Sequence, residues 1–160
     1  MNEDRMPFIG KAEQKLDNTG RVTVPVAFQR KLKGSFFLCQ GINVNCIWIL
    51  PEENFLTVLN DMVRKIPIDD DEGQEMKAVF ASSAVDRTLD KQNRFSLPPH
   101  LIKYAGINKK VKIVGNVDRG EIWAIEKWQQ IEEKNIEKSR TKGKYGLLGL
   151  CQNDAHPGSS

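Results

Sequence analysis

The sequence predicts a mixed α/β, strand-rich protein made of two pseudo-symmetric repeats in one chain, with flanking helices. The first reason is a duplication. Residues Leu16-Asp17-Asn18-Thr19-Gly20-Arg21-Val22-Thr23-Val24-Pro25 recur 73 positions later as Leu89-Asp90-Lys91-Gln92-Asn93-Arg94-Phe95-Ser96-Leu97-Pro98. Leu, Asp, Arg and Pro are kept, and the changes Val/Phe, Thr/Ser and Val/Leu are conservative. A repeat at fixed spacing sets architecture before any other signal does. The second reason is the apolar–polar alternation on both sides of a short turn in each copy, which is a hairpin pattern. The third is order: each copy is followed by a short helix, two more strands and a longer helix.

In the first half the strands are expected at about 12–16, 21–24, 35–39 and 46–50. The longer helix starts near Pro51, where proline suits the first turn and Glu52 and Glu53 suit the positive end of the helix dipole. Phe55, Leu59 and Met62 are three and four apart and share one helical face. In the second half the strands are expected at about 84–89, 94–97, 111–115 and 121–125. The short helix opens at Pro98-Pro99 and stops before Gly106, a suitable left-handed cap. A final helix is expected over 126–139. The repeats stay aligned beyond the turn: Phe28 matches Leu101, Trp48 matches Trp123 and Phe55 matches Trp128. The expected organisation is a first repeat over 7–66, an acidic solvated linker over 67–80, a second repeat over 81–139 and a flexible tail over 140–160.

Asn18-Thr19-Gly20 fits a three-residue hairpin loop, a type I turn followed by one residue in the left-handed region. Gly20 fills that position in the first copy. Asn93 fills it in the second, as the non-glycine residue best suited to positive φ. The local register then sets Asp17 opposite Arg21, Leu16 opposite Val22 and Lys15 opposite Thr23. In the second copy it sets Asp90 opposite Arg94, Leu89 opposite Phe95 and Thr88 opposite Ser96. One face of each hairpin is apolar (Leu16, Val22, Val24; Leu89, Phe95, Leu97), and the other carries the Asp–Arg pair. Each aspartate is expected to accept turn N–H groups and to orient its arginine. An exposed pair of that kind stabilises a fold by only ~0.2–1 kcal/mol. Stability alone therefore gives little reason to need arginine over lysine. A guanidinium held at a fixed angle suits bidentate contact with phosphate or a guanine edge.

The net charge of +3 is mild, but its distribution is uneven. Lys11 to Lys33 holds six bases against two acids, Lys134 to Lys144 five against one, and Asp61 to Glu75 six acids against two bases. Such separation lets one face attract phosphate while the total stays small. Cys39, Cys46 and Cys151 have no metal-ligand spacing and fit free thiols in a reducing cytosol. Asp69-Asp70-Asp71-Glu72 lack the loop spacing of a calcium site. His100 and His156 join no catalytic grouping, and no phosphate-binding glycine loop or catalytic carboxylate pair stands out. Trp48, Trp123, Trp128 and Phe55 fit core packing better than base stacking. Phe36-Phe37-Leu38 fits a buried strand or a subunit contact. No stretch approaches the ~18 apolar residues of a membrane span, and the start, with Glu3 and Asp4, is unlike a secretory signal. The expectation is a soluble, cytoplasmic, nucleoid-associated protein. It needs no cofactor, metal, membrane or small-molecule substrate, and it is not an enzyme.

The two Asp-x-x-x-Arg segments, each followed by proline, resemble those of the MraZ family of bacterial transcriptional regulators. The resemblance spans roughly 7–130 and extends to Phe8-Ile9-Gly10, Tyr104-Ala105-Gly106-Ile107, Val114-Gly115 and Glu121-Ile122-Trp123. It implies an AbrB-like swapped-hairpin β-barrel formed by two repeats of one chain. It also implies ring-shaped homo-oligomers, octamers or dodecamers, that bind short direct repeats in double-stranded promoter DNA of a division and cell-wall gene cluster. Carried over to this chain, the DNA-facing residues are Asp17 and Arg21, with Asp90 and Arg94. Asn93 stands where the family usually has glycine. No family counterpart is expected for the tail after Lys138.

The expected function is therefore a sequence-specific DNA-binding regulator, with repression the favoured direction. Arg21, Arg94, Lys15, Thr23, Lys91 and Ser96 are the candidate DNA contacts. Asp17, Gly20, Asp90 and Asn93 shape the turns and orient the arginines. Lys11, Arg30 and Arg87 are further phosphate candidates. The competing reading is an oligomeric scaffold or protein-interaction module that uses the same barrel without DNA.

Overall fold

The computed structural model describes residues 7–140. The first repeat contributes β1 (Lys11–Lys15), β2 (Arg21–Thr23), α1 (Val26–Gln29), β3 (Phe36–Gln40), β4 (Ile47–Pro51) and α2 (Glu52–Lys65). After α3 (Asp71–Ser83) the second contributes β5 (Val85–Arg87), β6 (Arg94–Ser96), α4 (Pro99–Ala105), β7 (Lys110–Gly115), β8 (Gly120–Ala124) and α5 (Ile125–Arg140). The strands, and the helices other than α3, fall within a few residues of their expected positions; α3 occupies much of the stretch expected as linker. The chain divides into a unit ending at Ile125 and a second beginning at Glu126, which within the described residues is helix α5.

The pairing of strands departs from the local hairpins. β1 pairs with β7, β5 with β3, β4 with β8 and β2 with β6, all antiparallel. Each repeat thus lends its first strand to the third strand of the other. This corrects the expected register. Only the closing pairs survive: the Asp17 N–H donates to the Arg21 carbonyl at 3.0 Å, and the Asp90 N–H to the Arg94 carbonyl at 2.9 Å. Beyond them the strands part. Leu16 donates to Lys109, Val22 lies opposite Phe95, Thr23 opposite Arg94, and Lys15 opposite Lys110. Extended residues can pair with any strand of matching face, so alternation within one segment does not choose the partner.

The expected barrel is not seen as a closed ladder. The larger sheet runs β1-β7-β8-β4-β3-β5 and ends on β1 and β5, while β2 and β6 form a separate two-stranded ladder. The three-residue second strands leave the main sheet to pair with each other, so the sheet keeps two edges.

The core lies between these layers. Phe8, Val22, Phe28, Phe36, Leu38, Ile47, Ile49, Leu101, Ile113 and Ile122 are all within 1% of complete burial. Phe8 meets Phe28, and Phe36 meets Phe95, in edge-to-face contacts at 5.2 and 5.3 Å. Such pairs add specificity to apolar burial. Phe28 and Leu101, matched between repeats, occupy equivalent buried places on α1 and α4. Phe36 and Leu38 are buried in β3, Trp48 and Trp123 are core residues, and Phe55 stacks on Phe37 at 4.4 Å. Gly106 ends α4 at φ +64°, as its position after the helix requires.

The acidic stretch after α2 is more than a connector. Asp70 caps α3, its Oδ1 accepting the Gly73 N–H at 3.1 Å, and Asp71 and Glu72 occupy the first turn. Carboxylates there suit the positive end of the helix dipole. The tail expected over 140–160, together with Cys151 and His156, lies outside the described residues apart from Arg140 at the end of α5.

Candidate nucleic-acid interface

Both turns have the expected backbone. Gly20 sits at φ +77° and Asn93 at φ +57°. The Gly20 N–H donates to the Asp17 carbonyl, and the Asn93 N–H to that of Asp90. The same turn therefore occurs twice with different residues in its left-handed position.

Each turn folds around its aspartate. Asp17 Oδ1 accepts the Thr19 N–H, the Thr19 hydroxyl and the Arg21 N–H at 2.8–2.9 Å, and Oδ2 accepts Arg21 Nε at 2.9 Å. Asp90 Oδ1 accepts the Gln92 and Arg94 N–H groups at 2.8 and 2.9 Å, and Oδ2 accepts Arg94 Nε at 3.1 Å. Bonds to the ionised form favour it. The backbone N–H of Arg21, foremost, holds the Asp17 carboxyl far below the usual range, and that of Arg94 lowers Asp90 in the same way. Both carboxylates are thus ionised at neutral pH and face the guanidinium groups as anions.

The exchanged ladder brings the two turns together. β2 and β6 set Arg21 opposite Ser96, Val22 opposite Phe95 and Thr23 opposite Arg94. Val22 and Phe95 point into the core. Side chains alternate, so Arg21, Thr23, Arg94 and Ser96 share the other face. Arg21 and Arg94 side chains remain 38% and 27% exposed. Arg94 Nη1 also lies 3.9 Å from Asp17 Oδ2, which ties one repeat's arginine to the other's carboxylate. Each aspartate takes the Nε side of its own arginine. Within the described residues, the bonds made by Arg21 leave its Nη1–Nη2 edge unused, the geometry that suits phosphate oxygens or guanine O6 and N7.

The other candidates divide. Lys91 is exposed in the second turn. Lys15 is exposed on β1 opposite Lys110, not beside Thr23. Arg87 is a clip: its Nε donates to the Ser96 carbonyl at 2.9 Å and its Nη1 to that of Asp86. Arg30 lines a groove of about 450 Å³ with Gln29, Lys33, Thr88, Asp90 and Asn93. His100 Nε2 lies 2.9 Å from the Ser83 carbonyl at the end of α3, a structural contact. Burial pushes the Cys39 thiol up to about 12 and raises Cys46 as well, so both are poor nucleophiles. Among the described residues no group of three or more His, Cys, Asp or Glu is placed to hold a metal ion, and no helix is long and apolar enough to cross a membrane.

Sequence reasoning missed a buried polar cluster at β8. Glu121 is 5% exposed. Its Oε1 accepts Trp123 Nε1 at 2.9 Å, and its Oε2 accepts Asn116 Nδ2 and Arg119 Nε at 3.1 and 3.0 Å. The Arg119 guanidinium lies 4.0 Å from the centre of the Trp48 ring. The Glu-x-Trp spacing, which places both side chains on one strand face, was the available signal.

Comparison with known proteins finds the same family in both halves of the chain. The family model described as "MraZ protein, putative antitoxin-like" matches residues 8–74 and again 80–149. The chain belongs to the MraZ family. The second match runs past Lys138, so the family likeness reaches further than the sequence reading expected. Among relatives, a protein from Clostridium tetani is 34% identical over 143 residues, covering 89% of this chain and 99% of its own length. One from Natranaerobius thermophilus is 36% identical over 127 residues, covering 79% and 87%. One from Clostridium acetobutylicum is 32% identical over 143 residues, covering 89% and 99%. Each is named "Transcriptional regulator MraZ", the name of a regulator rather than of an enzyme.

Proposed function

We propose that this MraZ-family chain is a sequence-specific DNA-binding transcriptional regulator, acting as a repressor on the promoter of a division and cell-wall gene cluster. The observation that carries the reading is the β2–β6 face, where two arginines from different repeats are each fixed by a carboxylate and stand beside Thr23 and Ser96. A two-stranded β-ribbon fits the major groove, and arginine is the commonest reader of guanine there. Arg21 and Arg94 contact base edges or phosphates, Thr23 and Ser96 lie between them, and Lys91 and Lys15 reach neighbouring phosphates. The exchange of first strands between repeats supports the AbrB-like swapped-hairpin reading of the fold.

One protomer offers few contacts. A ring-shaped homo-oligomer, octamer or dodecamer, would present the same face in succession, and linked weak contacts gain through effective concentration. Short direct repeats in promoter DNA match adjacent protomers of such a ring. In a gel shift against the region upstream of this coding sequence, the parent should retard the duplex, and Arg21→Ala should weaken that binding at least tenfold. Unchanged affinity in Arg21→Ala and Arg94→Ala would favour a scaffold that uses the same fold without this DNA contact.

A further inference from the structure

The strand exchange places lysines from both repeats on one edge of the main sheet. The β1–β7 ladder sets Lys11 opposite Val114, Glu13 opposite Lys112 and Lys15 opposite Lys110. Opposed and alternate residues share a face. Lys11, Lys15, Lys110 and Lys112 therefore lie on the face away from Val111 and Ile113, which are fully buried. Lys109 adjoins them, its carbonyl accepting the Leu16 N–H at 2.8 Å. Glu13 is the one acid on the ladder, 3.9 Å from Lys110 Nζ. From Lys112, opposite Glu13, to Lys15 and Lys110 the cationic stretch covers about 7 Å at ~3.3 Å per residue, with Lys11 two positions further along. It ends two residues before Asp17.

The equivalent edge in the other repeat lacks this strip. β5 pairs with β3 so that Asp86 lies opposite Phe37. The 73-residue offset between repeats puts Ala84, Asp86 and Thr88 where the first has Lys11, Glu13 and Lys15. Phe37 takes the place of Lys112 and is stacked on Phe55. Lysines on an edge strand can serve simply to block edge-to-edge pairing. But β5 is the other edge of the same sheet and does without them, so edge protection does not explain the difference.

We propose that the strip formed by Lys15, Lys110 and Lys112 is a phosphate-tracking surface for duplex DNA, extending the Arg21–Arg94 face in one direction only. The inference rests on the DNA reading above and adds a polarity to it. A pseudo-symmetric ribbon alone would sit on DNA equally well in two orientations. A one-sided cationic flank selects one, which is the arrangement that head-to-tail repeats require. These lysine–phosphate pairs carry affinity and orientation but no base information.

The test compares Lys15→Gln/Lys110→Gln/Lys112→Gln with a control of equal charge change elsewhere, Lys65→Gln/Lys77→Gln/Lys103→Gln. Fluorescence anisotropy is read from 50 to 300 mM salt on the upstream duplex and on a shuffled duplex of the same composition. Removing one lysine–phosphate pair lowers the slope of log affinity against log salt by ~0.9. The strip variant should lose two to three units of slope, bind both duplexes more weakly by a similar factor, and keep the ratio between them. The control should stay near the parent. The two-site variant Lys15→Gln/Lys110→Gln, which spares half-buried Lys112, should lose about two-thirds as much. Parental slope in the strip variants, or an equal loss in the control, overturns the strip. If Arg21→Ala still loses specific binding in that case, the DNA reading stands. A parent that binds neither duplex at 50 mM salt overturns both.

Discussion

Arg94 Nη1 lies 3.9 Å from Asp17 Oδ2, so the carboxylate of the first repeat faces the arginines of both. Asp90 holds Arg94 through Nε. Asp17 holds Arg21 and stands against Arg94 as well. The two Asp-x-x-x-Arg segments, alike in sequence, are unequal in position.

That inequality predicts unequal variants. Asp17→Asn should lower affinity for the upstream duplex more than Asp90→Asn, roughly tenfold against a few-fold, because it loosens two guanidinium groups rather than one. Charge–charge distance rather than folding should set the difference. Circular dichroism of both variants should match the parent, and anisotropy titrations give the ranking.

The depressed aspartates also predict an acid slope. Their carboxyls titrate lower in the folded chain than in the unfolded one. The unfolded chain therefore binds more protons in the interval between the two values, and stability rises with pH there. The contribution is complete above the ordinary carboxylate value near 4 and is lost as pH falls below it. Urea midpoints at pH 6 and pH 3 should draw closer together in Asp17→Asn/Asp90→Asn than in the parent.

The turns can be exchanged. Gly20→Asn should fold and bind like the parent, because Asn93 already holds the same conformation at φ +57°. A Cβ at Gly20 meets nothing closer than 3.7 Å, so the cost of other residues is in the backbone, not in crowding. Gly20→Val, β-branched at positive φ, should lose ~1–2 kcal/mol in chemical denaturation.

Glu121 should be costly to remove. Its carboxylate satisfies Trp123, Asn116 and Arg119 inside the protein. Glu121→Ala strands those donors and should cost ~2–4 kcal/mol in urea unfolding, with Glu121→Gln milder. None of these residues lies on the β2–β6 ladder, which gives a clean check. At temperatures where the variant is folded, DNA affinity should be near parental.

What could be read from the sequence was what neighbouring residues decide. Gly20 and Asn93 betrayed the turn, Asp17 and Asp90 their bonds to the arginines, and Gly106 the end of α4. The choice of partner strand was not local. Leu16 and Val22 each alternate correctly, yet Leu16 bonds to Lys109 and Val22 lies opposite Phe95. The acidic run concealed α3, although Asp70 three residues before Gly73 was a capping signal and Glu75-Met76-Lys77-Ala78 favours helix. Glu-x-Trp hinted at part of the Glu121 cluster, but the stacking of Arg119 on Trp48, 71 residues away in the chain, is revealed by no spacing.

The central claim is that carboxylate-held guanidinium edges read bases. The most direct test is the ratio of affinities for the upstream and shuffled duplexes in Arg21→Lys and Arg94→Lys, which keep charge and lose the planar fork. The account predicts that this ratio falls by roughly 5- to 100-fold in each variant, while the salt slope stays near the parent's. A ratio unchanged in both variants would contradict it.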